Sequence, residues 1–220
     1  MNNIPHHIFW DFDGTLFDTY PQITDSLIHA LEDFHIEKQF DRAELLHRLK
    51  FSCTEAIRYC SNKAQVHEHS LAEAFQKYHQ QTSLFIPYDG LRECLHTLCC
   101  LGCKHYLYTH RNKSGIQQLQ QKGLWKYFTD GIIADMKFPL KPDPSALLWL
   151  CYEHHLNPDN CVMIGDRAID LAAGKAAGMR GILFDPDAFY PDYSADWRVD
   201  NMQEIIQIYT KDHNKLMDSN

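Results

Sequence analysis

The sequence lacks the features of an exported, membrane-spanning or nucleic-acid-binding chain. Its first residues, MNNIPHHIFWDFDGT, contain no basic stretch followed by the apolar run of a secretory leader. No segment approaches the roughly 18 consecutive apolar residues of a membrane-spanning helix. Basic residues number 21 against 29 acidic ones, which gives a formal net charge of −8. We therefore expect neither a nucleic-acid nor a membrane partner, and an anionic substrate would need local positive groups or a metal ion.

The sequence also lacks a repeated cysteine motif. Of eight cysteines, Cys100 and Cys103 have CxxC spacing, and no second such pair follows. A zinc site or a disulfide framework is therefore not indicated. Without an export signal, we expect free and buried thiols in a cytoplasmic protein.

Glycine is missing from one long stretch, between Tyr20 and Gln81. Apolar residues recur there at helical spacing, as at Ile23, Leu27 and Leu31, and four helices are predicted. Short apolar strands and helices alternate outside this block, and the predicted strands are His7–Phe12, His105–Tyr108, Gly131–Ala134, Cys161–Ile164, Gly181–Phe184 and a weaker Trp197–Val199.

The alternation predicts an α/β fold with a doubly wound parallel, Rossmann-like sheet. Because the helical block separates the first strand from the second, it is predicted to be an insertion in that sheet. The expected division is a core of residues 1–17 and 85–220, with a small all-α domain of residues 18–84. A final helix is predicted from Met202 to about Tyr209. The sequence leaves a monomer and a homodimer open.

Polar residues follow the predicted strands, where the loops of a doubly wound sheet converge on one crevice. They are Asp11, Asp13 and Thr15 at and just beyond the end of the first strand, Thr109, His110 and Arg111 after the second, Lys141 in a later loop, and Asp166 and Asp170 after the fourth. Crowded carboxylates repel one another unless a cation lies between them, and hard oxygen ligands suit Mg²⁺. Taken singly, each motif also fits an ordinary turn, strand end or helix start. Their joint position at strand ends favours a catalytic site.

These residue types fit phosphoryl transfer. An ionised Asp11 is a candidate nucleophile, and Asp13 is a candidate general acid and base. Thr109 and Lys141 are expected to donate to phosphoryl oxygens, and Lys141 to offset charge in the transition state. Arg111 either points into the cleft, where it would hold a second acidic group of the substrate, or lies on the surface.

The motifs together resemble the haloacid dehalogenase superfamily, in its phosphoglycolate-phosphatase-like branch, over nearly the whole chain. Asp11 to Thr19 resembles the first motif, Thr109 the second, Lys141-Pro142 the third, and Gly165 to Asp170 the fourth. The resemblance implies that Mg²⁺ binds the Asp11 carboxylate, the backbone carbonyl of Asp13 and Asp166, with Asp170 in support. It also implies that the helical block is a cap, which opens and closes over the sheet and selects the substrate.

The expected activity is that of a Mg²⁺-dependent phosphatase, which hydrolyses a small phosphorylated metabolite through an aspartyl phosphate. The expected substrate-binding residues are Thr15, His110, Arg111 and Lys50. Asp13 argues against a dehalogenase, which lacks this aspartate. A phosphomutase of the β-phosphoglucomutase type stays open, because Arg48 to Ser52 resembles a phosphate-gripping cap loop, although a basic helix end is the favoured explanation of these residues. A receiver-like phospho-aspartate switch is a further alternative, and the inserted block speaks against it.

Overall fold

The computed structural model describes residues 4–81 and 85–217. The chain divides into two compact units, Met1–Phe17 with Pro87–Asn220 and Asp18–Ile86. The predicted boundary at Leu84 lies outside the described residues.

The first unit contains a six-stranded sheet. Its strands are β1 (His7–Trp10), β4 (Lys104–Tyr108), β5 (Phe128–Ile132), β6 (Cys161–Gly165), β7 (Arg180–Phe184) and β8 (Trp197–Val199). Two further strands, β2 (Phe17–Asp18) and β3 (Ile86–Pro87), pair with each other. The main sheet has the order β5-β4-β1-β6-β7-β8, and its recorded pairings are parallel. The predicted doubly wound α/β fold is confirmed, because this is the 3-2-1-4-5-6 order of a Rossmann-like sheet.

Five helices of the first unit accompany the sheet: α5 (Leu91–Cys100), α6 (Ser114–Gln121), α7 (Ser145–Glu153), α8 (Ala168–Ala176) and α9 (Met202–Met217). On one face, Phe9 of β1 packs in a cluster with residues of α7 and α8. On the other, His105 of β4 bonds to the Leu95 carbonyl of α5. The side chains of successive strand residues point to opposite faces of the sheet. A central strand as apolar as β1 is therefore covered on both faces.

The second unit contains the four predicted helices, α1 (Tyr20–Asp33), α2 (Arg42–Phe51), α3 (Cys53–Ala64) and α4 (Glu68–Gln81). Buried apolar residues of all four form one cluster. Asp41 accepts a hydrogen bond from the Glu44 amide at 3.0 Å and Ser52 accepts one from Glu55 at 3.3 Å, so both residues cap helix N-termini. Within residues 4–81 and 85–217, no helix is long and apolar enough to cross a membrane.

Two predicted elements have different bounds in the structure. Strand β5 begins at Phe128 and ends at Ile132, whereas Gly131–Ala134 was predicted. Strand β5 lies at the edge of the sheet and pairs with β4. An edge strand tolerates polar residues such as Thr129 and Asp130. The strand therefore has no continuous apolar run that would mark its bounds in the sequence. Helix α9 extends to Met217, beyond the predicted end near Tyr209. The sequence from Thr210 to Lys215 contains no apolar residue, so apolar periodicity marks only the first part of the helix.

Candidate active site

The loops that follow β1, β4 and β6 bring buried polar side chains to one edge of the sheet. Strand β1 has β4 on one side and β6 on the other, which makes this edge the point where the strand order reverses. A set of predicted site residues is buried there, comprising Asp11, Thr15, Thr109, Lys141, Asp166 and Asp170. All of them belong to the first unit.

The turn after β1 is closed by backbone hydrogen bonds. Gly14 adopts a φ of 77°, a left-handed conformation that glycine enters without a steric penalty. Its amide donates to the Phe17 carbonyl at 2.8 Å, and the Phe17 amide donates to the Phe12 carbonyl at 3.0 Å. The rings of Phe12 and Phe17 stack 4.5 Å apart beneath the turn. This packing fixes the backbone that carries Asp11 and Asp13.

Lys141 joins two of the buried carboxylates. Its Nζ lies 2.5 Å from Asp11 Oδ1 and 2.8 Å from Asp170 Oδ1. The Tyr108 carbonyl accepts a third hydrogen bond at 3.0 Å. Three acceptors match the three N–H donors of an ammonium group, so Lys141 is held as a cation between the ends of β1 and β4 and the start of α8.

Burial and charge oppose each other in this cluster. Burial raises the pKa of Asp11 to about 6, although the neighbouring Lys141 ammonium acts to lower it. Burial alone would lower the pKa of Lys141, but the Asp11 and Asp170 carboxylates raise it above its ordinary value. Lys141 therefore stays charged at neutral pH. A divalent cation next to Asp11 would favour the ionised carboxylate and so make Asp11 a better nucleophile.

Three carboxylates are close enough to share a metal ion. Asp11, Asp166 and Asp170 each offer an oxygen within 4.8 Å of the others. Among the described residues, Asp11 Oδ2 is buried and has no hydrogen-bond partner. A buried carboxylate oxygen left without a donor is costly, and a cation would satisfy it. The residues therefore fit a hard divalent ion that prefers oxygen ligands.

Asp170 owes its position to the start of α8. It is the third residue of that helix, and its Oδ2 accepts a hydrogen bond from the Arg167 amide at 3.0 Å. Gly165, at the end of β6, leaves room for it, because a Cβ at Gly165 would lie 2.3 Å from Asp170 Cβ. Strand β6 and helix α8 therefore place Asp170 together.

Arg111 forms an ion pair with Asp13. Arg111 Nε lies 2.9 and 2.8 Å from the two carboxylate oxygens of Asp13, and Nη2 lies 2.6 Å from Oδ1. Of the two alternatives for Arg111, the structure places the side chain in the site rather than on the surface, with 10% of it exposed against 26% for Asp13. The Asp13 side chain is not among the three carboxylates that approach a common point.

The side chains of Thr109 and His110 order the backbone around them. Thr109 Oγ1 accepts from the Arg111 amide at 3.0 Å, and His110 Nε2 accepts from the Lys141 amide at 3.0 Å. Burial, together with the charges of Lys141 and Arg167, lowers the pKa of His110 to about 4. The imidazole is therefore neutral and holds the Lys141 loop. No local pattern indicates this bond, because the two residues lie 31 positions apart in the chain.

The two remaining predicted residues differ in location. Thr15 Oγ1 is buried in the turn after β1 and, among the described residues, has no hydrogen-bond partner. Lys50 belongs to the helical unit, where it is buried near the end of α2 with its ammonium 5.4 Å from the centre of the Tyr20 ring. Sequence reasoning also missed the Tyr108 carbonyl and the Arg167 amide, because main-chain groups carry no residue-specific signal.

Comparison with known proteins gives consistent matches. The family model for haloacid dehalogenase-like hydrolases matches residues 8–184. A phosphoglycolate phosphatase from Vibrio parahaemolyticus is 26% identical over 91% of this chain and 94% of its own. A pyrophosphatase PpaX from Bacillus velezensis is 26% identical over 91% of this chain and 94% of its own. A haloacid dehalogenase-like hydrolase structure from Streptococcus pneumoniae has a TM-score of 0.79 at 17% identity, over 95% of this chain and 100% of that one, which is a likeness of fold.

Proposed function

Because the chain belongs to the haloacid dehalogenase-like hydrolase family and is a phosphatase, we propose that it hydrolyses a small, phosphoglycolate-like metabolite through an aspartyl phosphate on Asp11, with Mg²⁺ as cofactor. The observation that carries this proposal is the state of Asp11. One of its oxygens is bonded to the Lys141 ammonium, and the other is buried at the switch point of the sheet with no hydrogen-bond partner in the part of the chain that the structure describes.

The first half-reaction forms the phosphoenzyme. A carboxylate oxygen of Asp11 attacks phosphorus, the bond from phosphorus to the ester oxygen breaks, and that oxygen keeps the electron pair. Asp13 gives it a proton, so an alcohol leaves. Lys141 stays charged beside Asp11 and offsets the negative charge that develops on the transferred group.

The second half-reaction returns the enzyme to its starting state. Water attacks phosphorus and gives a proton to Asp13, and the bond from phosphorus to the Asp11 oxygen breaks. Its electron pair restores the carboxylate, and inorganic phosphate leaves. Asp11, Asp166 and Asp170 would hold the divalent ion, which supplies charge neutralisation for the phosphoryl group when bound.

A phosphate-release assay tests the proposal. With Mg²⁺ present, the protein should release phosphate from 4-nitrophenyl phosphate and from phosphoglycolate, and EDTA should abolish this activity. Asp11→Asn should lower kcat by about 10⁴-fold or more, because it removes the nucleophile. Activity that survives Asp11→Asn would show that another group attacks phosphorus. Isomerisation of a hexose 1-phosphate without phosphate release would instead favour the phosphomutase alternative.

A further inference from the structure

The ion pair between Arg111 and Asp13 engages both oxygens of the proposed general acid. Arg111 Nε donates to Oδ1 and Oδ2 of Asp13, and Nη2 adds a second bond to Oδ1 at 2.6 Å. A carboxylate that accepts from a guanidinium in this way is held in its acceptor form. This arrangement suits the step in which Asp13 takes a proton from water. It does not suit the earlier step, in which Asp13 gives a proton to the leaving oxygen.

The surroundings of Arg111 fix its backbone and leave the ion pair accessible from the Asp13 side. The Arg111 amide donates to Thr109 Oγ1 at 3.0 Å, and its carbonyl accepts from the Ala134 amide at 2.8 Å. The guanidinium carbon lies 5.4 Å from the centre of the Phe12 ring. Asp13 is the more exposed partner, with 26% of its side chain accessible. A guanidinium fork matches a substrate carboxylate or phosphoryl group as well as it matches Asp13.

We propose that Arg111 exchanges partners during turnover, from Asp13 in the resting enzyme to a second anionic group of the substrate in the complex. This inference rests on the proposed function, because it assigns Asp13 the role of general acid. The exchange breaks the hydrogen bonds to Asp13, forms equivalent bonds to the substrate, and leaves Asp13 able to carry a proton to the leaving oxygen. Arg111 thereby links recognition of the substrate to release of the acid.

The exchange defines a class of substrate. A preferred substrate carries a carboxylate or a second phosphoryl group close to the oxygen of the bond that breaks. An alkyl phosphate without a second anionic group has nothing to take Arg111 from Asp13. It should therefore react more slowly, even when its leaving group is equally basic. Phosphoglycolate offers a carboxylate as the second anionic group, and pyrophosphate offers a phosphoryl group. The amide of phosphoglycolate is the matched compound, because it keeps the phosphate but has an uncharged amide in place of the carboxylate.

The experiment compares these three substrates in the unsubstituted chain and in Arg111→Gln, with Mg²⁺ in excess. The wild-type kcat/KM should favour an anionic substrate over the amide by roughly 10- to 100-fold, the range expected of a charge-assisted hydrogen-bond pair. Arg111→Gln should remove this preference from both sides: the anionic substrates lose their partner and slow, while the amide reacts with an Asp13 that no guanidinium holds as an acceptor and does not slow. Arg111→Lys should restore part of it, because an ammonium keeps the charge but not the fork. If Arg111→Gln removes the preference for phosphoglycolate alone, the group that Arg111 binds is a carboxylate. If it removes the preference for pyrophosphate alone, that group is a phosphoryl group.

Arg92→Gln is the matched control. Arg92 is an exposed arginine of the same unit that donates to the Gly123 carbonyl at 3.3 Å, so its loss should preserve the wild-type preference. The exchange would be overturned if Arg111→Gln slowed the amide as much as the anionic substrates, or if the preference survived it. A wild-type protein that hydrolyses the amide as fast as the anionic substrates would overturn the exchange and leave the phosphatase proposal intact. A wild-type protein that releases no phosphate from any of the three, nor from 4-nitrophenyl phosphate, would overturn both.

Discussion

Lys141 stabilises the acidic cluster because its buried ammonium lies between two buried carboxylates. Replacing it with methionine keeps most of the apolar stem and leaves Asp11 and Asp170 without their shared cation. We expect Lys141→Met to lower the free energy of unfolding in EDTA by about 3–5 kcal/mol, the usual cost of breaking a buried ion pair from one side. Urea unfolding at neutral pH measures this loss.

Lys104→Met is the matched control for this variant, because Lys104 is exposed at the start of β4. Its effect should stay within about 0.5 kcal/mol. Added Mg²⁺ should recover part of the stability of Lys141→Met, since a divalent ion replaces the missing positive charge. Equal and small losses in the two variants would contradict the structural role given to Lys141.

His105 should make the stability of the fold depend on pH. It lies buried in β4, where its Nδ1 accepts from Trp10 Nε1 at 2.9 Å and its Nε2 faces the Leu95 carbonyl at 3.3 Å. Burial lowers its pKa from 6.5 to about 4. Between these values the unfolded chain binds a proton that the folded chain does not. The contribution of His105 is therefore complete above pH 6.5 and is lost as the pH falls towards 4.

His105→Gln keeps a donor and an acceptor but cannot take up this proton. The free energy of unfolding of the wild type should fall more steeply than that of the variant between pH 7 and pH 4.5. The extra slope should reach at most about 1.4 kcal/mol per pH unit, the value for one proton. Urea unfolding at several pH values measures both slopes, and parallel curves would rule out a neutral His105 as the cause.

Some residue-scale features follow from the sequence and others depend on the folded backbone. Asp11, Lys141 and Asp170 were predicted to converge because parallel strand ends share one edge, and their side chains do meet. The ion pair between Arg111 and Asp13 was not predictable from the sequence. A long side chain at a strand end can extend into solvent or bind a partner. For Arg111 the outcome depends on the backbone path of the turn that carries Asp13, which lies 98 residues earlier in the chain.

At the scale of elements, β6 and α8 have to approach closely for Asp170 to reach Lys141. A methyl group at Gly165 would lie 2.3 Å from Asp170 Cβ and 2.8 Å from its Oδ2, so one of these groups must move. We expect Gly165→Ala to cost about 1–3 kcal/mol of stability, as overpacking does. It should also lower phosphate release, because Asp170 shifts away from Lys141. Urea unfolding and the phosphate assay measure the two effects.

Gly115→Ala is the matched glycine substitution in α6. The nearest atoms to its added methyl group would be 3.6 Å away, which is ordinary contact. Alanine favours a helix over glycine, so this variant should be unchanged or up to about 1 kcal/mol more stable. If both variants lost the same stability, crowding at Asp170 would not be the cause.

The helices and strands were predicted correctly where a buried face produces a regular pattern of apolar residues in the sequence. The continuous apolar strands β1 and β6 and the heptad-like spacing of α1 mark buried faces directly. The prediction was wrong for β5, whose edge position permits Thr129 and Asp130, and where the pairing with β4 shifts register between His105 and Tyr106. The apolar pair Ile132-Ile133 runs past the end of β5, so a local window places this strand too far along the chain.

At the scale of the whole molecule, the sheet and the helical unit each have a core of their own. The chain leaves and re-enters the first unit at adjacent points, because the Tyr88 amide donates to the Leu16 carbonyl at 3.1 Å. The absence of glycine made the insertion visible in the sequence. Its exact ends were less visible, because strands of two residues are too short to leave a pattern.

This organisation predicts that the first unit folds without the second. Replacing Asp18–Ile86 by a short glycine-serine linker should leave a chain that unfolds cooperatively, since the linker has only to join Phe17 to Pro87, beside the hydrogen bond from the Tyr88 amide to the Leu16 carbonyl. Asp11, Asp166, Asp170 and Lys141 all stay in the shortened chain. Mg²⁺ at about 100 times its Kd should therefore stabilise it by about 2.7 kcal/mol through mass action, and thermal unfolding followed by circular dichroism would show this as a rise in Tm. The same excision with Asp166→Asn should lose most of that rise, because one ligand is gone. A shortened chain that folds but does not respond to Mg²⁺, beside an unshortened chain that does, would mean that the helical unit supplies part of the metal site.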